Sequence, residues 1–136
     1  MILSLIFKFD AAHRLMHYKG PCSHIHGHTW RVKVCIEGEV DSESGMVVDF
    51  SEIRKQIDNY VISFFDHAMI VNREDYDVKA FLKGKGFRYV EIDGEPTCEN
   101  LAKLIYTQIE VAVPQKRLAS VRVWETQNNS AIYTKE

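Results

Sequence analysis

Residues 29–37 read TWRVKVCIE, and the apolar side chains fall at every second position. Trp30, Val32, Val34 and Ile36 share one parity; Arg31, Lys33, Cys35 and Glu37 share the other. A period of two sends successive side chains to opposite faces of an extended chain, so this stretch is a strand with one face buried and one wet. It constrains the fold strictly, because a slip of one residue would turn every apolar side chain to solvent. ILSLIFKFDAAH, near the start of the chain, repeats the pattern with Leu3, Leu5, Phe7 and Phe9 on one parity.

The period then changes. In VVDFSEIRKQIDNYVISFF, the residues Phe50, Ile53, Ile57, Tyr60, Val61 and Phe64 fall at helical spacing, and Asp49 with Glu52 forms a capping-box arrangement. A second helix starts near Thr97 and runs to about Val113, with Leu101, Leu104, Ile105, Ile109 and Ala112 as its apolar stripe and Pro114 closing it. RLASVRVWET and SAIYTKE read as two final strands around a QNN turn. Residues 66–96 read as a loop region holding a short helix at DVKAFLKGKG and a short strand at FRYVEID, with KGKG as a solvated loop. The order strand, strand, helix, helix, strand, strand implies an α+β fold: a four-stranded antiparallel sheet with two helices on one face. Its two open edges favour association of copies.

The 136 residues suit one domain, 1–136, able to bury a core without a disulfide or a metal. A net charge of −2 argues against general nucleic-acid binding and leaves room for a local basic patch. The longest apolar run, Val61 to Phe65 with Ser63 inside, is far too short to span a bilayer. Cys22, Cys35 and Cys98 are scattered and odd in number, which suits free thiols in a reducing compartment. With no basic n-region and no small-residue cleavage site at the start, a cytoplasmic protein is expected.

CSHIHGH, residues 22–28, carries the chemistry. His26 and His28 are two apart, so on a strand their rings point the same way. His13 ends the first strand, and pairing of the two strands would bring three imidazoles together. Three histidines with an open fourth position make a catalytic Zn²⁺ site; a fourth protein ligand would make it structural. Cys22 is open to either reading, as that fourth ligand or as an uncoordinated thiol whose pKa a nearby dication lowers, making it a base or nucleophile. His17 and His24 lie in the same loop as spare ligands, supporting groups or bystanders.

FDAAHRL, C-x3-HGH, GMVVDF, FDH, PTCENLA and WET, in this order, resemble the 6-pyruvoyl-tetrahydropterin synthase family. The resemblance implies a T-fold, with trimers closing a barrel and two trimers stacking to a homo-hexamer. It implies Zn²⁺ held by His13, His26 and His28, with Cys22 as general base. It gives Asp66 and His67 the role of a proton-relaying pair supplied across a subunit boundary, and makes Glu125 the anchor of the pterin with Glu99 assisting. The short C-x3-HGH gap resembles the bacterial 6-carboxy-tetrahydropterin synthases of queuosine biosynthesis. The implied reaction takes 7,8-dihydroneopterin triphosphate to 6-carboxy-5,6,7,8-tetrahydropterin, acetaldehyde and triphosphate. The alternatives are 6-pyruvoyl-tetrahydropterin formation, by triphosphate elimination only, or a non-catalytic zinc-binding T-fold protein. Arg14, Arg31 and Lys33 are candidates for the triphosphate. The chain departs from the family pattern at Phe65, where leucine is common, and in a longer 73–95 stretch that could cover the site or add a strand.

Overall fold

The two alternating stretches pair along their whole length in the computed structural model, which describes residues 1–135. β1 (Ile2–His13) and β2 (His26–Glu37) run antiparallel, from Ile2 opposite Glu37 to His13 opposite His26. Leu5, Phe7, Phe9 and Ala11 of β1 and Trp30, Val32, Val34 and Ile36 of β2 are buried, as the alternation requires. β5 (Arg117–Trp124) pairs antiparallel with β2, with a register shift beside Cys35 and Ile36, and β6 (Ser130–Tyr133) pairs antiparallel with β5.

The sheet is larger than expected and mixed. It has six strands in the order β4-β3-β1-β2-β5-β6. β3 (Ala68–Asn72) lies parallel to β1, and β4 (Tyr89–Ile92) lies parallel to β3. The four-stranded, wholly antiparallel sheet is therefore corrected to six strands. The sequence AMIVN carries no alternation, because all five residues are buried. Parallel neighbours need a crossover, and the long 73–95 stretch supplies one: helix α3 (Tyr76–Lys85) between β3 and β4. The added strand was one of the two readings of that stretch. KGKG is the end of this helix and not a free loop. Gly86 takes a left-handed φ of 70°, while Gly86 N–H and Phe87 N–H close onto the carbonyls of Lys83 and Leu82.

Two helical segments cover one face of the sheet, and α3 packs on the other, so the two helices expected on one face are joined by a third. Helix α1 (Phe50–Ile57) runs on through a π turn (Asp58–Ile62) into a last α-helical turn, α2 (Ser63–Phe65). Asp49 caps α1, its carboxylate accepting from the Ser51 and Glu52 amides. The buried positions are Ile53, Ile57, Val61, Ile62 and Phe65, whereas Phe50, Tyr60 and Phe64 are exposed. The true stripe thus repeats every four residues, longer than the 3.6 of an α-helix, and the wider π turn keeps it facing inward. Helix α4 (Cys98–Ala112) begins at a Thr97 cap and buries Leu101, Ala102, Ile105, Tyr106 and Ile109. α3 packs through Leu82 against Met69 and Val71, whose neighbour Ala12 belongs to the parity of β1 opposite the main core. Among the described residues no helix is long and apolar enough to cross a membrane.

Candidate metal centre and active site

The core stripes of β1 and β2 end in histidines. His13 continues the parity of Phe9 and Ala11, and His26 and His28 continue that of Trp30. His13 faces His26 directly across the ladder, with His28 opposite Ala11. Gly27 sits between the two β2 ligands, where a Cβ would lie 3.4 Å from the Ala11 carbonyl oxygen. Trp30 forms the floor, its ring centroid 4.9 Å from that of His13 and 5.4 Å from that of His28.

The three Nε2 atoms converge. His13 Nε2 is 3.0 Å from His26 Nε2 and 3.1 Å from His28 Nε2. His13 Nδ1 donates to the Pro96 carbonyl at 2.7 Å, and His26 Nδ1 donates to the His24 carbonyl at 2.7 Å. A carbonyl only accepts, so each Nδ1 carries the ring proton and each Nε2 of the neutral ring presents a bare lone pair. Burial pushes the pKa of His13 down, against the Pro96 hydrogen bond, and burial also lowers that of His28, against the charge of Glu125. Both shifts favour the neutral, ligating form.

Lone pairs this close repel unless a cation lies among them. In a tetrahedral Zn²⁺ site, bonds of about 2.0–2.1 Å separate ligand nitrogens by roughly 3.3 Å. The donor set therefore fits a divalent ion, and the Pro96 and His24 carbonyls are the supporting partners such a site uses to orient its histidines. Neither carbonyl carried a side-chain signal in the sequence. Among the described residues, His13, His26 and His28 form the group whose ligating atoms all lie within 4.8 Å of one another. Cys22 lies outside that group, half-buried in a 3₁₀ turn (Pro21–Ser23) with its carbonyl accepting from Leu15 N–H at 2.8 Å. The side chains of His17 and His24 are also outside it, and both residues are exposed.

Glu125 follows β5 and turns its carboxylate to the same place. Its Oε1 is 3.4 Å from His13 Nε2 and 3.8 Å from His28 Nε2. Cys98 and Glu99 open α4 nearby, with Cys98 Sγ 3.7 Å from Glu99 Oε2. Burial first, then Glu99 and Glu125, pushes the Cys98 thiol up to about 11. This reverses the lowering that its place in the first helical turn suggests. Glu99 itself is exposed.

Asp66 and His67 form a pair. Asp66 Oδ2 lies 3.1 Å from His67 Nδ1, and Asp66 Oδ1 accepts from Asp10 N–H at 3.0 Å. His67 N–H donates to the Asp10 carbonyl at 2.7 Å, and His67 has a positive φ of 59°. The Asp10 amide is the main cause holding the Asp66 carboxyl below the ordinary carboxylate value, with His67 adding to it. Among the described residues no hydrogen bond or ion pair joins this pair to the triad, although one open cavity of about 760 Å³ has both His28 and His67 in its wall.

The triphosphate candidates do not gather at the triad. Arg14 is committed to Asp75 through two bonds of 2.6 and 2.9 Å, and Asp75 is buried. Arg31 and Lys33 have the opposite parity to Trp30 and point to the other side of the sheet.

The family model for 6-pyruvoyl tetrahydropterin synthase matches residues 2–136. The chain belongs to this family. Among its relatives, the 6-carboxy-5,6,7,8-tetrahydropterin synthase of Haemophilus influenzae is 28% identical over 96% of both chains. The protein of the same name from Synechocystis is 33% identical, covering 93% of this chain and 88% of its own. The solved 6-pyruvoyl tetrahydropterin synthase of Caenorhabditis elegans superposes with a TM-score of 0.76 at 27% identity, covering 100% of this chain and 96% of that one. The α+β architecture is thus the T-fold of the family, here built on a six-stranded sheet.

Proposed function

We propose that the chain is a zinc-dependent carbon–carbon lyase of queuosine biosynthesis. It converts 7,8-dihydroneopterin triphosphate, with water, to 6-carboxy-5,6,7,8-tetrahydropterin, acetaldehyde and triphosphate. The observation that carries this reading is the convergence of three imidazole Nε2 atoms with Cys22 left outside their group. The names of the Haemophilus and Synechocystis relatives support the carboxy product.

His13, His26 and His28 would hold Zn²⁺, which when bound would supply Lewis-acid polarisation of the substrate's side chain. Glu125 binds the pterin, its carboxylate matching the paired N–H donors of the ring. Because Glu125 reaches the edge of the triad, a ring held there sets its own side chain beside the histidines. Glu99, one residue from Cys98 on the same rim, assists. Cys22 takes a proton from the side chain as general base. His67, its tautomer fixed by Asp66, relays protons. Oxidation of the side chain balances reduction of the ring, so no redox cofactor takes part.

The assembly is a cytoplasmic homo-hexamer in which Asp66 and His67 serve a neighbouring copy. Its support is the two open sheet edges, β4 and β6, and the 77% exposure of His67. Incubation of the zinc-loaded protein with dihydroneopterin triphosphate tests the reaction. Acetaldehyde is expected; a pyruvoyl product, or binding without turnover, would replace this reading with one of its alternatives.

A further inference from the structure

The face of the sheet opposite α1 and α4 carries an unusual concentration of positive charge. Strand pairing sets Lys8 opposite Arg31, with Trp124 next in the row. Two residues along, Lys33 lies opposite Arg122, with Ile6 and Ile132 at the ends of that row. Alternation sends all four cations away from α1 and α4, because Phe7, Phe9, Trp30, Val32 and Val123 fill the core on the other side. Strands about 4.8 Å apart and i, i+2 neighbours about 7 Å apart confine the four anchor points to roughly 10 by 7 Å.

Lys8–Arg31 and Lys33–Arg122 are directly opposed like-charge pairs, an arrangement that destabilises a sheet. Composition does not force it, since the chain's net charge is −2. Among the described residues none of the four joins an ion pair. The acidic side chains on this face have other partners: Asp10 accepts from the Thr29 hydroxyl, Glu37 lies 3.3 Å from Arg117, and Glu91 lies 3.7 Å from Arg73 and 3.5 Å from Lys79. Arg31 and Arg122 instead stack on the Trp124 ring, their guanidinium carbons 4.4 and 4.6 Å from its centroid. Arg122 Nε also donates to Ser130 Oγ at 3.0 Å. Stacking fixes the planar forks while their outer N–H groups stay available to an acceptor. A cavity of about 230 Å³ opens beside them, with Lys8, Arg31, Trp124 and Thr126 in its wall.

We infer that this face binds a compact phosphoryl polyanion, of the inorganic triphosphate class, at a site separate from the histidine triad. The separation follows from parity: the triad lies on the side of α1 and α4, and the four cations lie on the other. A chain of two or three phosphoryl groups spans the rectangle, so its charge offsets both opposed pairs at once. The inference does not depend on the reaction proposed above.

The test is calorimetric titration of inorganic triphosphate into the full chain in its native assembly, with thermal melts alongside. Saturable binding is expected, weakening as salt rises. Lys33→Gln combined with Arg122→Gln is expected to weaken binding at least about tenfold. Without anion, Lys33→Gln alone is expected to melt above the wild type, because one opposed pair is gone. Triphosphate is expected to raise the melting temperature of the wild type and not of the double variant. His28→Ala is expected to keep the binding. Several results would overturn the site: no binding, unchanged affinity in the double variant, loss of binding in His28→Ala, or orthophosphate bound as tightly as triphosphate. A short RNA oligonucleotide bound through these residues while triphosphate is not would also overturn it.

Discussion

His13 Nδ1 donates to the Pro96 carbonyl at 2.7 Å, across 83 positions of sequence. One bond ties the end of β1 to the turn before α4 and aims His13 Nε2 at His26 and His28. The metal centre is thereby coupled to the packing of the fold.

That coupling predicts a metal-dependent melt. Three imidazole nitrogens converge, with His13 Nε2 3.0 and 3.1 Å from the other two, and a cation present at a thousandfold over its dissociation constant adds about 4 kcal/mol of stability. Chelation should lower the melting temperature of the wild type, and His28→Ala should abolish the difference. A melt indifferent to chelator would contradict the triad as a metal site.

Arg14 follows His13 in sequence yet serves the scaffold. It forms a two-pronged pair with buried Asp75. Arg14→Met leaves that carboxylate unpaired and should cost about 3 kcal/mol in urea unfolding. Turnover per folded molecule should stay near wild type. A large rise in KM with unchanged stability would return Arg14 to the substrate's phosphates.

Much of this was legible in the sequence because strands announce themselves by parity. The alternation of 29–37 placed Trp30 to Ile36 in the core, and the same parity carried His26 and His28 to one side. What was hidden lacked a period. AMIVN is buried throughout, and a strand hidden on both faces shows no alternation. The helix stripe was displaced onto Tyr60 and Phe64 because a π turn shifts the frame that 3.6-residue counting assumes. At the site, the histidines were readable from spacing, whereas the Pro96 and His24 carbonyls belong to the backbone. The approach of Glu125 to the triad needed the register of β5 against β2, which no local pattern gives.

Cys98 is the cysteine a helix-terminus argument would activate, and the structure suppresses it. Burial, Glu99 and Glu125 push its thiol up to about 11. Alkylation of Cys98 by iodoacetamide, followed by mass spectrometry, should keep rising with pH past the ordinary thiol value. A plateau at or below that value would contradict the environment described.

Asp66 and His67 make no bond to the triad of their own chain among the described residues. If a neighbour's site uses them, mixing Cys22→Ala subunits with His67→Ala subunits should restore part of the turnover each lacks alone. Mixed assemblies as inactive as their parents would argue against sharing.

The central claim is that three imidazoles hold the ion while the Cys22 sulfur stays off it. The most direct measurement is zinc content and turnover of Cys22→Ala, determined on the same preparation. The predicted result is zinc at the wild-type level with turnover reduced by about 10²-fold or more. Loss of zinc in parallel with turnover would contradict the claim, because Cys22 would then be a ligand.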